Sequence, residues 1–338
     1  MVVSSLACAL APLPASAGTV TFTSNTLIDA TNLTYDGQDV VVQGCTVTVN
    51  GPHTFHSLAL QNAGVLTQSP TSSSQTNLLQ VTVTGQLLID AASRIDVSGL
   101  GYPVGYTTGD TTTGAATGYS GGSYGGLGPN RGGTANATYG DFRNPTEPGS
   151  GGSNAGNGGG GAGGGLVRLI AGSAQMDGKI LANGQVPGQC GSGSGGGIYL
   201  KVGTLSGSGT ISANGGDGNG WNGTPGGGGR VAIYYDTLNG FSLASKVTAH
   251  GGATHDGYYA GVGTVYSQQT GQPGQLLISS HGTTTGEWTP LGQASDTVIS
   301  VGTLTVSGAG VAAAPQHQMP IQAGNVSVLL APTSPISR

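Results

Sequence analysis

Three cations recur on or beside successive copies of one short strand pattern: Arg168 in GLVRLIAG, Lys201 in GIYLKVG and Arg230 in RVAIYYD. A base of this kind, beside acids that hold Ca2+ or quench a substrate carboxylate, is what a polysaccharide lyase needs. Asp177, Asp217, Asp236 and Asp256 are the nearby acids. No two of them stand at i, i+2 in one strand, where they would share a face. That spacing favours solvated charges that keep strand edges soluble. Asp141 and Glu147, in YGDFRNPTEPGSGG, are the carboxylates a glycosidase reading would use. A turn acid with a chance neighbour accounts for them equally simply. GGDGNGWN approaches a calcium-binding nonapeptide, but Gly220 stands where the deciding aspartate belongs and no tandem copy follows. His53 and His56 read H-x-x-H, and in extended chain side chains three apart point to opposite faces, which is wrong for joint ligation. Cys45 and Cys190 have no C-x-x-C spacing; one bridge or two separate thiols both fit. The pattern implies no metal, no cofactor and no catalytic residue.

The aromatic residues carry the better functional hint. Twelve of the eighteen are Tyr, and Tyr102, Tyr106, Tyr119, Tyr124 and Tyr139 fall in or beside one long Gly/Thr-rich stretch. Trp221, Tyr258 and Tyr259 decorate later glycine runs. Flat amphipathic rings among Asn and Thr suit sugar faces or protein contacts at low entropic cost. Alternatively they cap bare glycine backbone and shield it from water. Tyr119, Tyr124, Tyr139, Trp221, Tyr258 and Tyr259 are the candidate contacts to glycans or a partner.

The elements that must position these rings are legible from composition. The chain has 338 residues with 67 Gly, 7% charged and 36% hydrophobic residues, and a net charge of −5. Glycine keeps no strict third-residue period, which excludes collagen. Low charge with Val and Ile in short runs reads as all-β, and no stretch holds an i, i+3, i+4 apolar pattern for three turns. Nine scattered Lys and Arg offer no footprint for nucleic acid. No apolar run is long enough to span a bilayer.

GLVRLIAG, GIYLKVG, RVAIYYD and GTVYSQ are successive versions of one strand, and KILANG, TISANGG and KVTAHGG of a second. Ile180, Ile211 and Val247 follow at 31 and 36 residues, and Val167, Ile198 and Val231 at 31 and 33. A fixed period of this size with short strands marks a solenoid, in which each unit covers its neighbour's apolar face. Alternation predicts one inward ladder of Val167, Leu169, Ile198, Leu200, Val231 and Ile233. Ile180, Ala182, Ile211, Ala213, Val247 and Ala249 make a second. Asn183 and Asn214, each before Gly, fit turns with positive φ and could share side-chain hydrogen bonds, with His250 next in line. LLIDAASRIDVSG (87–99) is an earlier unit. Residues 100–164 are a long insertion, expected to emerge on one face as a binding loop.

At GSGGGIYLKVGTLSGSGTISANGGDG and GGGGRVAIYY the chain resembles glycine-rich, parallel-β-helix-like segments of large bacterial surface and secreted proteins. Such segments often precede RHS-type or adhesin-type regions. The resemblance is densest over residues 145–270; it implies a fold and supplies no catalytic residues, and no RHS repeat is visible.

MVVSSLACALAPLPASAG reads as an export signal, with Ala15-Ser16-Ala17 as an A-x-A cleavage site, although no Lys or Arg precedes the apolar run. DVVVQGCTVTVNG (39–51) is echoed by DTVISVGTLTVSG (296–308). The expected organisation is a signal peptide over 1–17, a single-stranded right-handed parallel β-solenoid over 18–290, and a second module over 291–338 that continues beyond Arg338. A β-sandwich array is the alternative fold. The expected function is an exported bacterial cell-surface or secreted structural and adhesive module, binding glycans through Tyr-rich loops. A lyase or glycoside hydrolase on the same scaffold is the alternative.

Overall fold

The computed structural model describes residues 18–155, 159–219, 223–253 and 256–329. The expected signal peptide and Trp221 lie outside the described residues. The chain is nearly all β, with 40% of residues in strands and 2% in helix, and its sheets are mostly parallel. The larger sheet takes its strands almost in chain order. Thr19–Phe22, Asp39–Gln43 and Ser57–Gln61 lead to Leu79–Ile89, which Gly51–Phe55 also joins. Leu166–Met176, Gly197–Ser206, Arg230–Asn239 and Thr264–Gln269 continue it, and Gln275–Ser279, Ile299–Ser307 and Ile321–Leu329 complete it. The chain visits a second sheet between these strands, from Thr26–Ile28 through Lys179–Leu181 and Thr210–Ser212 to Val247–Thr248. Parallel partners need a long connection, and here the return trip through the second sheet provides it. An antiparallel sandwich does not fit this pairing.

Both expected ladders exist. Val167, Ile198 and Val231 stand opposite one another, as do Leu169, Leu200 and Ile233. Ile95, Ile180, Ile211 and Val247 form the facing ladder. All are essentially fully buried in one continuous core. Fully burying a side chain of this size contributes about 1.5–3 kcal/mol, and stacking makes each rung the lid of the previous one.

The long strands bend at a shared column. Gly85, Gly172 and Gly203 fall at equivalent positions, and Asp236 takes the next place. A Cβ on Gly172 would lie 2.8 Å from the carbonyl of Gly85, and one on Gly203 2.5 Å from that of Gly172. Inward parity switches there: Leu200 and Val202 are buried before the glycine and Leu205 after it. One strand therefore lines two sides of the core around a corner. Gly302 and Gly324 repeat the device near the C-terminus, with Val301 and Leu304 buried on either side of Gly302.

The larger sheet also separates two cores. Thr264–Gln269 pairs antiparallel with Gln275–Ser279, reversing the chain. Beyond that reversal Leu276, Ile278, Leu291, Ile299 and Leu304 form a second cluster on the opposite face, against the short Thr289–Leu291 and Ala313–Pro315 pair. The architectural change thus comes before residue 291. The echo between 39–51 and 296–308 is not a structural equivalence. Asp39–Gln43 and Thr46–Val49 lie in different sheets, whereas Ile299–Ser307 is one strand.

Replacing Leu200 by Ala should cost about 2–5 kcal/mol, because the rungs on both sides hold the cavity open. Replacing exposed Ile170 on the neighbouring strand by Ser should change stability by less than about 0.5 kcal/mol. Denaturant midpoints of the two variants check this.

Candidate binding face

Glycine is the material of one wall, and the reason is close approach. The stretch around Gly193 is surrounded by six others, near Gly122, Ser150, Gly164, Ala182, Gly216 and Gly227. Ser194 N–H donates to Ser150 at 3.0 Å, Gly195 to Gly227 at 2.9 Å and Gly196 to Ala182 at 2.7 Å. In the other direction, Gly122, Gly164 and Gly216 each donate to its carbonyls at 2.9 Å. The peptide groups thus reach six neighbouring stretches, where an inner strand of a sheet has two. The stretches are buried yet contain neither strand nor helix. An added Cβ would lie 1.8 Å from a carbonyl oxygen at Gly191, 1.9 Å at Gly193 and 1.9 Å at Gly215. Crowding of this kind excludes every side chain, as it does at a collagen axis.

This corrects two expectations. Asn183, Gly184, Asn214 and Gly215 do not have positive φ; the glycines are there because neighbouring backbone would meet a Cβ at 2.0 Å or less. The shared side-chain hydrogen bonds are present, however. Asn183 Oδ1 accepts from Asn214 N–H at 2.8 Å, and Asn214 Oδ1 from His250 N–H at 3.1 Å. The insertion is likewise no projecting loop, since it supplies the stretches near Gly122, Ser150 and Gly164.

Two of the expected contact residues are interior. Tyr124 is fully buried, and its ring lies 4.7 Å from that of Tyr139, which also packs at 6.4 Å from Tyr102. The Tyr139 hydroxyl donates to Pro148 O at 2.7 Å, and that of Tyr102 to Glu147 Oε2 at 3.2 Å. Burial pushes all three phenols well above their ordinary pKa. Tyr124 and Tyr139 are therefore internal packing, not docking groups. Against them lies Arg230, which is not a solvated charge but fully buried. Its Nε donates to Tyr139 O at 2.8 Å, and its guanidinium carbon lies 5.4 Å from the Tyr124 ring centre. Desolvation lowers its pKa, yet an arginine stays protonated, and these carbonyl and ring contacts stabilise the charge. Arg230 fastens the insertion to the first residue of a core strand.

The other rings gather where the glycine stretches turn back. Tyr119 N–H donates to Arg131 O at 2.8 Å, and the Arg131 guanidinium lies 4.6 Å over the ring of Tyr258 while pairing with Asp256 at 2.5 Å. Tyr259 is 37% exposed beside Gly286, and Trp288 is 36% exposed. The turns are braced from below: Thr224 Oγ1 donates to Tyr119 O at 2.5 Å, and Asp217 Oδ1 accepts from Ala253 N–H at 2.8 Å. Sequence reading missed Arg131 and Trp288; only their lone positions in polar, glycine-rich runs pointed to them. These residues are aromatic and polar, and the Arg131 charge among them is paired with Asp256.

Of the groups considered for acid–base chemistry, Lys201 and Asp236 line one small cavity of about 120 Å³, with Tyr234 and Thr270. Arg168 donates to Asn144 and Pro145 beneath the Tyr199 ring, whereas Lys201 is exposed. Asp177 accepts from Ser208 and Asp236 from Thr270. Asp141 pairs with Arg143 at 3.7 Å, and Glu147 accepts from Tyr102 and Thr108. His53 is buried against Asp36, whereas the His56 side chain is 57% exposed beside Asp39, so the two do face apart. Cys45 and Cys190 are buried free thiols. No family model matches the chain, and no curated protein or solved structure does either.

Gly193→Ala should destabilise the protein by at least about 3 kcal/mol through overpacking against the carbonyl of Ala162. Gly188→Ala, with open space around it, should be neutral in the same denaturation series. The phenols give a pH prediction. Folded values above the ordinary 10.0 mean that the native state holds these protons more tightly than the unfolded chain. Their contribution to stability is therefore complete below pH 10 and lost as pH rises through the folded values. Phenolate absorbance should lag in the folded protein and rise together with loss of circular dichroism.

Proposed function

We propose that the protein is an exported structural and adhesive module of a bacterial cell surface or secretome, built as a right-handed parallel β-solenoid. Its coils run in register, and a lateral glycine wall holds the turns that carry Tyr119, Arg131, Tyr258 and Tyr259. The observation that carries this reading is the glycine array, whose backbone bonds brace these turns from several sides. A rigid support lowers the entropic cost of presenting aromatic groups to a partner. Export is inferred from the A-x-A pattern at Ala15-Ser16-Ala17. Glycans are the inferred ligands of the tip because rings beside amides and hydroxyls suit sugar faces. The polysaccharide-cleaving alternative would have to use the cavity that Lys201 and Asp236 share, whose volume of about 120 Å³ is well below that of ordinary ligand sites.

Two measurements test the proposal. The exported protein should begin at Gly18 on N-terminal sequencing; a cell-retained chain that keeps Met1 would remove the localisation. On a glycan array, the Tyr258→Ala/Tyr259→Ala double variant should lose roughly ten-fold or more in binding at unchanged thermal midpoint. Full binding by that folded variant would take the adhesive role away from the tip.

A further inference from the structure

The larger sheet outruns its cover. The second sheet ends at Val247–Thr248, level with Arg230–Asn239, whereas the larger sheet continues through four more strands. Among the described residues, the face that had lined the first core has no facing sheet beyond Val265. Gln275, Leu277 and Ser279 lie on it, opposite Thr303, Thr305 and Ser307. Three adjoining cavities follow this face. One of about 460 Å³ has the helical turn Leu243–Lys246 on one side and Leu329 on the other. It shares Gln275 with a cavity of about 380 Å³ that reaches Tyr235 and Gln272. It shares Ser279, His281 and Ser307 with a third of about 340 Å³. Each falls within the size range of small-ligand sites. Four residues of floor strand span about 13 Å before either end is added.

We infer that this trough binds a linear, neutral oligosaccharide. Among the described residues, the lining of the three cavities contains no Asp, Glu, Lys or Arg. A charged polymer would lose hydration there without gaining a counter-charge. Desolvation and the neighbouring His250 lower the pKa of His281, which favours its neutral form. Hydroxyls of Ser279, Thr303, Thr305 and Ser307 and the amide of Gln275 each donate and accept, which matches sugar hydroxyls. Leu243, Val265 and Leu277 offer an apolar strip for the ring C–H faces, and Tyr235 stands at one end. An extended peptide is the poorer match. Strand addition needs a free sheet edge, whereas this floor is a sheet face whose backbone bonds lie within the sheet. The trough is separate from the Tyr258 tip and does not rest on its role.

The test is titration calorimetry of the full chain with β-1,4-linked glucose, mannose and xylose hexamers, and with an oligogalacturonate of equal length. At least one neutral hexamer should bind, and oligogalacturonate should bind at least roughly ten-fold more weakly. Thr305→Arg and Ser279→Arg should each reduce binding by roughly ten-fold or more, and Gln275→Ala, at an exposed position, by less. Circular dichroism and thermal midpoints confirm folding. Tyr258→Ala/Tyr259→Ala should leave this binding unchanged, which separates failure of the trough from failure of the tip. No binding of any neutral hexamer by the folded wild type overturns the inference. So does equal binding of oligogalacturonate, or full binding by both arginine variants. Concentration-dependent dimerisation that Thr305→Arg abolishes would assign the face to a second copy of the chain and overturn it as well.

Discussion

The structure depends on one contact: a backbone N–H of one extended stretch meeting the carbonyl of another where no Cβ fits. Ordering glycine is entropically expensive, and a chain with this much of it would be expected to remain loose. Here each costly stretch places its peptide groups against several neighbours at once. Gly195 bonds toward Gly227, Ser194 toward Ser150, and Gly193 accepts from Gly216. Each such bond contributes only about 1 kcal/mol net, but leaving a buried peptide group unpaired costs more. The array is therefore cooperative in a strict sense. Removing one stretch strands donors and acceptors on all those around it.

The β core and the glycine wall are registered to each other by a few side chains. Asn183 and Asn214 sit where the chain leaves the second sheet, and their side-chain oxygens hold the backbone at the next such place. Arg230 sits where the chain returns from glycine to strand, reaching the carbonyls of Tyr124 and Tyr139 in the insertion. A buried cation held by carbonyls and rings suits this place, because a carboxylate partner would add a second desolvated charge to a wall made of backbone. Apolar stacking holds the parallel strands together, and the glycine bonds hold the turns beyond them. Tyr119, Arg131 and Tyr258 come together through the Tyr119–Arg131 backbone bond and the Arg131 guanidinium over the Tyr258 ring.

The sequence made the core plain and the wall obscure, for a physical reason. Val167, Ile198 and Val231 carry their burial in their own side chains, and alternation reveals which way they point. Gly193 carries no side chain, so nothing in its identity distinguishes a turn, a tether or a packed interior. Asn-Gly was read as left-handed turn chemistry, yet at Gly184 and Gly215 the constraint is the carbonyl next door. Tyr124 and Tyr139 were misplaced on the same account. In a conventional core, large rings in a polar, glycine-rich run lie outside, but in a wall of bare backbone rings fill the interior. The sequence around Arg230 predicts a surface charge, because its neighbours carry no sign of the insertion folding over it. The reversal after Gln269 was invisible, since it changes strand direction without changing strand pattern.

That reversal explains why the far end of the sheet looks as it does. Side chains alternate with a period of two, so each strand must commit one set of residues to each face. Up to Val265, one face meets the second sheet and the other meets the insertion through Tyr266 and Phe142. Once the second sheet stops, Leu276 and Ile278 commit to the new core on the opposite side. Gln275 and Ser279, with Leu277 between them, are left on the face without cover. Such a face must remain extended while contacting water, and Thr satisfies both demands through its branched Cβ and its hydroxyl. Thr303, Thr305 and Ser307 are thus what a sheet needs where its core has changed sides. The same choice leaves an uncharged, hydroxylated trough walled by the end of the first core.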